Sequence, residues 1–598
     1  MLANLIRFSI RYHGVIIVVA ALVFVVGCYR FATAGLDIFP EFSPKQVIIQ
    51  TESPGLSSEQ VELLVTQQIE MAINGVIGIQ TVRSESIQGL SIVTAIFPEQ
   101  SDIYRNRQLI NERLANLPAK LPKGVVPVVV PLSSSSATVL TLGLSSEKVD
   151  LMALRTLVDW TIAPRLLAIP GVADVNIFGG DIKQLQVQIN PQQLQRYSLT
   201  LDDVIQASGN SALMQGSGFI ENHNQRFPVR VNGYATTPEQ FANVIVKRSG
   251  AGNVTLGEIA TITYAPKPAI GAAQIMGKPA IALMVIAQYG ANTLSVSKAL
   301  ESALHEISPE LTKQGINFYP HLFRPADYIE RSINNLSKHL LIGGLFVLLI
   351  LYLFLFNTRA AVISALAIPV SLLGAVIVLL EAGINLNILV LGGLAIALGE
   401  VVDDAIIDTE NIFRRLRENQ QSAHPLPAES VINSASLEVR SSVVYASFIV
   451  ALVFVPLLTL DGVAGRLFAP LGYSYILAIL ISLLVALTVT PALCYALLSR
   501  QVLKTSEPPL IKAIKSVYLK GLMATSKHFK YLLIASAAAS VISLCAFFTI
   551  DTQFLPELRE GHYIVHTSSL PGTSLKESIR IGSQLTQQFM AIPGIESV

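Results

Sequence analysis

The chain has 598 residues, 51% of them hydrophobic and only 14% charged, with a mean hydropathy of +0.54. That apolar excess excludes an ordinary soluble globular protein and places the chain in the membrane class. A net charge of +1 argues against a nucleic-acid partner, and Cys28, Cys494 and Cys545 all lie in apolar runs, which argues against a disulfide framework or a cysteine-based metal site.

Seven apolar stretches are long enough to cross a bilayer, which takes about 20 residues, with about 17 as a lower limit. They fall near 14–33, 340–356, 360–380, 386–411, 443–460, 473–498 and 531–550. The first has Arg7 and Arg11 in front and Ala32-Thr33-Ala34 behind, which mimics a cleaved leader. Arg30 interrupts that site and the apolar run exceeds leader length, so an uncleaved helix is predicted. Arg7 and Arg11 hold the N-terminus inside. Arg359, the Arg414, Arg415 and Arg417 group, and the basic run from Arg500 to Lys530 also fall on inner loops. Glu381–Asn385 and Leu460–Tyr473 read as outer turns poor in basic residues. Seven spans with an outer C-terminus satisfy every short loop.

In chain order the pattern gives a membrane helix in 1–34 and a polar outer segment in 35–335. Five helices follow in 336–500, then a basic amphipathic inner linker in 501–530 and a seventh helix in 531–550. The start of a second outer domain occupies 551–598. In the outer segment Gln46–Gln50 and Ser91–Phe97 read as strands. Ser57–Ala72 and Ile103–Leu117 read as helices, from apolar residues at helical spacing. Pro-Gly turns punctuate the joins, so the segment reads as two or more α+β subdomains.

The fourth span carries the chemistry. Between Glu400 and Glu410 it holds five carboxylates, Glu400, Asp403, Asp404, Asp408 and Glu410, and no basic residue occurs before Arg414. With Glu400 as zero, Asp404 and Asp408 fall at roughly +40° and +80°, and Asp403 and Glu410 at roughly −60° and −80°. The five share an arc of about 160°. Val401, Val402, Ala405, Ile406 and Thr409 mark the apolar or small remainder. This predicts an amphipathic helix whose acids turn to a bundle interior or a wet path. Asp403 lies roughly 24 Å below Asn387 and Glu410 roughly 35 Å, near the inner interface. An ionised carboxylate at a span's centre costs about 2.5–3.5 kcal/mol. Burial and like-charge crowding favour the neutral form, so such a group can take a proton from one side and lose it to the other. Asp403 and Asp404 are the proton-site expectation, with a bound monovalent cation as the rival. Solvation at the helix end accounts equally well for Asp408 and Glu410.

Gly392, Gly393 and Gly399 would permit close helix approach. Pro369, Pro456 and Pro491 lie within spans and serve as kinks or hinges. No phosphate-binding loop, metal motif or catalytic constellation occurs, so no enzyme activity and no bound cofactor are expected.

An internal repeat stands out. Phe39-Pro40-Glu41, Pro54-Gly55 and Ile77–Val82 return as Leu555-Pro556-Glu557, Pro571-Gly572 and Pro593–Val598. The separations are 516, 517 and 516 residues. Parallel repeats of this kind are a transporter architecture. The second copy stops midway, which points to a truncated product or a partial sequence.

These runs resemble the resistance–nodulation–division (RND) permeases over the whole chain. The resemblance rests on Val402-Asp403-Asp404-Ala405-Ile406 through Glu410-Asn411, on Phe454-Val455-Pro456-Leu457 with Gly462, and on Thr490-Pro491-Ala492-Leu493. Ile6–Arg11, Ser101–Tyr104, Arg107–Leu114, Ile169–Val175 and Gly179-Gly180 look most like the heavy-metal efflux branch. The resemblance implies an α-helical membrane bundle with a large α+β periplasmic porter and docking domain. It also implies a homotrimeric bacterial inner-membrane proton antiporter that exports cations on the proton motive force. Its partners would be a periplasmic adaptor and an outer-membrane channel. Asp403 falls on the family's relay Asp and Glu410 on the acid before the motif's Asn. Some divalent-cation pumps have Asp where this chain has Ala397, and the Asp403-Asp404 pair is typical of the multidrug branch. A multidrug permease, or a non-transporting fragment needing a second polypeptide, are thus the alternatives. Copper and silver members carry a Met where this chain has His566, which points instead to Zn, Co or Ni as the transported substrate. The family's relay Lys would lie outside this chain.

Overall fold

The computed structural model describes residues 2–37, 39–212, 218–229, 235–249, 252–355, 357–422, 424–499, 509–551, 561–570 and 572–598. Leu555-Pro556-Glu557, Pro571 and the start of the inner linker lie outside the described residues. The chain forms two compact units. The first takes residues 1–139, 286–298 and 324–563, and the second takes 140–285, 299–323 and 564–598.

The first unit opens with α1 (Leu2–Arg11) and α2 (His13–Thr33), then the short strand β1 (Leu36–Asp37). Strand β2 (Gln46–Glu52) alternates, with Val47, Ile49 and Thr51 buried on one face. Helix α3 (58–73) joins Ser58–Val61, a π-helical turn Glu62–Thr66 and Gln67–Ile73 without a break. Its start is set by a capping box: the Gln60 amide donates to Ser57 Oγ, and Gln60 Oε1 accepts the Ser57 amide. Strands β3 (Thr81–Ile87) and β4 (Leu90–Ile96), helix α4 (Ile103–Leu114) and strand β5 (Val128–Val129) complete a sheet ordered β3-β4-β2-β5. Val61, Val65, Ile69, Ile73 and Ile110 close its core over Val47, Ile49 and Val93. The strands and helices expected at 46–50, 57–72, 91–97 and 103–117 are all present, with ends shifted by a few residues.

The second unit is built on β6 (Ser133–Ser146), helical residues 151–167 (α5) and β7 (Val172–Gly179). It continues with β8 (Lys183–Ile189), α6 (Leu201–Ala212), β9 (Ala260–Pro266), β10 (Ala273–Ile275) and β11 (Lys278–Gln288). Helix α7 (Thr293–Lys313), whose residues up to Lys298 belong to the first unit, and β12 (Ile316–Phe323) follow. One sheet runs β10-β11-β6-β12, with β7 also on β11, while β8 and β9 pair antiparallel.

The remaining helices are α8 (Pro325–Leu355), α9 (Thr358–Glu381), α10 (Ile388–Gln420), α11 (Ala428–Leu458), α12 (Gly462–Leu498), α13 (Pro509–Lys527), α14 (Phe529–Phe547) and α15 (Leu575–Met590). Strand β13 (Leu386–Asn387) precedes α10. Among the described residues six helices are long and apolar enough to cross a membrane: α2, α8, α9, α11, α12 and α14. The seventh expected span is α10, which is continuous over 33 residues but whose acids break the apolar run. Two spans run further than hydropathy indicates, because α8 starts at Pro325 and α11 at Ala428. The outer turn expected at 460–473 is a correction: α12 is already helical from Gly462. Arg466 in that stretch pairs with Glu99 at 2.9 Å and donates to the Phe42 carbonyl at 2.9 Å.

Two of the hydrophobic clusters among the described residues include side chains of α10. Ile6, Ile10, Ile412, Leu416, Ile432 and Leu498 form one near the inner end. Leu379, Leu386, Val390, Ala397, Tyr475 and Ile479 form the other near the outer end.

Candidate functional site

Helix α10 begins at Asn387, whose side chain accepts the Val390 amide at 2.9 Å. It packs against α9, α11 and α12. Gly393 makes the α12 approach possible: a β-carbon there would lie 2.1 Å from Ser474 Oγ and 2.6 Å from the Leu471 carbonyl oxygen. Gly392 and Gly399, expected to serve the same purpose, face open space.

The carboxylate arc splits down its middle. Asp404 and Asp408 are buried, at 9% and 3% exposure, whereas Glu400, Asp403 and Glu410 are exposed. The Ser482 hydroxyl of α12 donates to Asp404 Oδ2 at 3.1 Å. The Ser436 hydroxyl of α11 donates to Asp408 Oδ1 at 3.3 Å. Val401, Ala405 and Thr409 lie on the covered side as well, and Ser364 of α9 donates to the Ala405 carbonyl and meets Thr409 Oγ1, both at 3.2 Å. The five acids therefore do not share one inward face. The covered arc runs from Gly393 and Asp404 round to Thr409, and the open arc holds Ile396, Gly399, Glu400 and Asp403. The covered arc is the one that meets α9, α11 and α12, through Ser364, Ser436 and Ser482.

Asp408 also corrects the expectation of simple solvation, since the Ser436 contact takes it out of water. Glu410 is exposed, although α10 runs ten residues further, to Gln420. Just beyond it, Asn411 donates to the Ala435 carbonyl at 2.8 Å and accepts from Arg414 at 2.7 Å. Arg415 holds Glu438 of α11 through two hydrogen bonds of 2.9 and 2.6 Å. These fix the inner end of α10 to α11.

The partners Ser436 and Ser482 carry no signal in the sequence, because serines within apolar helices commonly serve packing alone. His566 lies exposed in the second unit. Among the described residues no three His, Cys, Asp or Glu side chains converge in a way that could hold a metal ion.

A bundle that buries two carboxylates against hydroxyls within apolar helices can bind and release a proton or small cation. Comparison with known proteins gives the family. The AcrB/AcrD/AcrF family model matches residues 5–598. Protein HelA of Legionella pneumophila is 32% identical across the whole chain, which covers 57% of HelA. The cation efflux system protein CusA of Escherichia coli K12 is 32% identical, again across the whole chain and 58% of CusA. The nickel and cobalt resistance protein CnrA of Cupriavidus metallidurans is 29% identical, with 59% of it covered. A crystal structure of a heavy metal efflux pump superimposes with a TM-score of 0.82 at 25% identity, over 99% of this chain and 57% of that one. The chain thus spans a little under three fifths of the length of these relatives. It belongs to the AcrB/AcrD/AcrF family of RND permeases, which are transporters rather than enzymes, and proteins named for cation efflux and for nickel and cobalt resistance are among those it resembles.

Proposed function

We propose that the permease containing this chain couples proton entry to the export of heavy-metal cations. The observation that carries this reading is the burial of Asp404 and Asp408 among apolar helices, beside the exposed Asp403. Asp403 and Asp404 form the proton site. Asp403, on the open flank with Glu400 and Glu410, faces a basic side chain supplied by polypeptide beyond these 598 residues. Asp408 tunes the buried flank. His566 contributes to the substrate path. The permease works as a homotrimer in the bacterial inner membrane, with its outer domains in the periplasm, joined to an adaptor and an outer-membrane channel. The names of the relatives, which include nickel and cobalt resistance and cation efflux, support a metal substrate.

Residues 561–598 form a stretch that repeats 46–82. Both helices run sixteen residues from a serine cap, Ser57 and Ser574. Gly55 and Gly572 share left-handed φ values of 87° and 88°, and Gly78 and Gly594 of 89° and 95°. The spacing drops from 517 at the caps to 516 at Gly78 and Gly594. The two helices are equal in length, so the change falls in the turn that follows them, 74–78 against 591–594.

The test is transport by the complete permease. Asp403→Asn and Asp404→Asn each abolish proton-driven export while membrane abundance stays at the parent level. Normal export by both variants would overturn the proton assignment. Deletion of the gene sensitises cells to Zn, Co or Ni. Unchanged metal tolerance with altered dye accumulation would replace the metal reading with a multidrug one.

A further inference from the structure

The outer end of the bundle holds a small polar junction that the proton site does not use. Strand β1 follows α2 directly and pairs in parallel with β13, with Leu36 opposite Leu386 and Asp37 opposite Asn387. Asn387 is also the cap of α10, so β13 and the first turn of the carboxylate helix are one piece. On its other side β1 meets the N-terminus of α7. The Asp37 carboxylate accepts the Thr293 amide at 3.1 Å, and Asn292 donates to the Leu36 carbonyl at 3.0 Å. Asn292 Oδ1 meanwhile accepts the Ser295 amide at 2.9 Å and so caps α7 from within.

Asp37 is therefore a helix cap supplied by a different element. Its negative charge sits where the α7 dipole is positive, and it satisfies an amide that the helix itself leaves open. Thr293, Leu386 and Asn387 around it are buried, at 3%, 0% and 2% exposure. Gly35, one residue before β1, leaves no room for slack, because a β-carbon there would come within 2.8 Å of Asn292 Nδ2. A second contact extends the junction: Lys298, one turn further along α7, lies 3.7 Å from Glu330 of α8. Glu330 in turn lies 3.7 Å from Arg324, whose side chain is only 6% exposed. The first turns of α7 are thus held to the starts of α10 and α8, two helices of the bundle.

We infer that Asp37 is a positioning residue, the pin through which the first turn of the carboxylate helix α10 and the first turn of the outer-domain helix α7 move as one. Displacement of α10 along its axis on proton binding shifts β13, then β1, then the cap of α7. That use of the pin rests on the proton-driven reading above, but the mechanical link itself does not.

Amide hydrogen exchange on the chain in lipid nanodiscs tests the link. Asp37→Leu is expected to speed exchange about fivefold in peptides covering 292–298, as loss of a typical cap does. The same variant also speeds exchange at 386–392, which Asp37 does not cap. Asn387→Ala gives the reciprocal result, with faster exchange at 292–298, because coupling between two sites acts equally in both directions. Asp37→Asn keeps an acceptor oxygen and restores most protection at both places. Asp102→Ala removes the Asp102 side chain that accepts the Tyr104 and Arg105 amides at the start of α4, and it leaves 386–392 unchanged. Acceleration confined to 292–298 in Asp37→Leu and to 386–392 in Asn387→Ala would overturn the inference. If Asp37→Leu does not fold, the Asn387→Ala result decides alone. Failure of the proton reading in the transport assay would leave these exchange results untouched.

Discussion

The two flanks of α10 carry the same chemistry and meet different fates. On one, Asp404 and Asp408 are covered by α11 and α12 and accept serine hydroxyls. On the other, Asp403, Glu400 and Glu410 are open. The helix itself is regular through both, so helical geometry does not decide burial. Small residues decide it. The covered arc offers Gly393, Ala397, Val401 and Ala405, over which another helix can close, and Ser436 and Ser482 arrive opposite the acids. An unpartnered buried carboxylate would cost several kcal/mol, so the hydroxyls are a condition of closing that side.

Substitutions can break or sharpen this contrast. The largest effect is expected at Gly393. Gly393→Val forces contact with the Leu471 backbone and costs about 3 kcal/mol or more, the upper range for overpacking. Gly399→Ala, on the open flank, is neutral or slightly stabilising. Thermal unfolding in detergent compares them, and equal losses would show that both flanks are packed. Next come the acids. Asp404→Ala and Asp408→Ala each leave a buried serine without its acceptor and cost about 1–3 kcal/mol. Asp403→Ala and Glu410→Ala change stability by no more than about 0.5 kcal/mol. Ser436→Ala and Ser482→Ala are smaller again, at about 1 kcal/mol each. If either serine change destabilises no more than Asp403→Ala, its hydrogen bond does not hold that flank together.

The smallest effect concerns Asp37 and is a pH dependence. Burial raises its carboxyl above the usual range, and hydrogen bonds from Thr293 and Asn292 offset only part of that. A carboxyl raised on folding binds more protons folded than unfolded, so stability falls as pH rises from the unfolded value through the folded one. Asp37→Asn removes that slope. Parent and variant unfolding profiles should therefore differ most in slope just above the ordinary carboxylate pKa, and parallel profiles would contradict it.

Two serine-capped helices, α3 and α15, show the same division between local code and neighbours. Ser57 and Ser574 both start helices, and the glycines at both ends take the same left-handed turn. Yet Val65, Ile69 and Ile73 of α3 are fully buried on a sheet, while Ile581, Leu585 and Phe589 of α15 are half-buried. Helix α15 rests on the β10–β11 hairpin through the Gln274–Ser583 hydrogen bond at 2.9 Å.

Much of the molecule is legible without a structure. Apolar run length gave the membrane helices, because the bilayer fixes how many residues a span needs. Short strand-like runs gave β2 and β4, and apolar residues at helical spacing gave α3 and α4, because these signals act within a few residues. Five acids in eleven residues gave α10 as the place to look. What only the tertiary structure decided is which acids are inside, which serines meet them, that α12 is helical from Gly462, and that Asp37 caps a helix more than 250 residues away. Each of these depends on a contact between distant segments. A single sequence encodes such contacts only through the packing of all its helices together, whereas periodicity and capping are written into every turn.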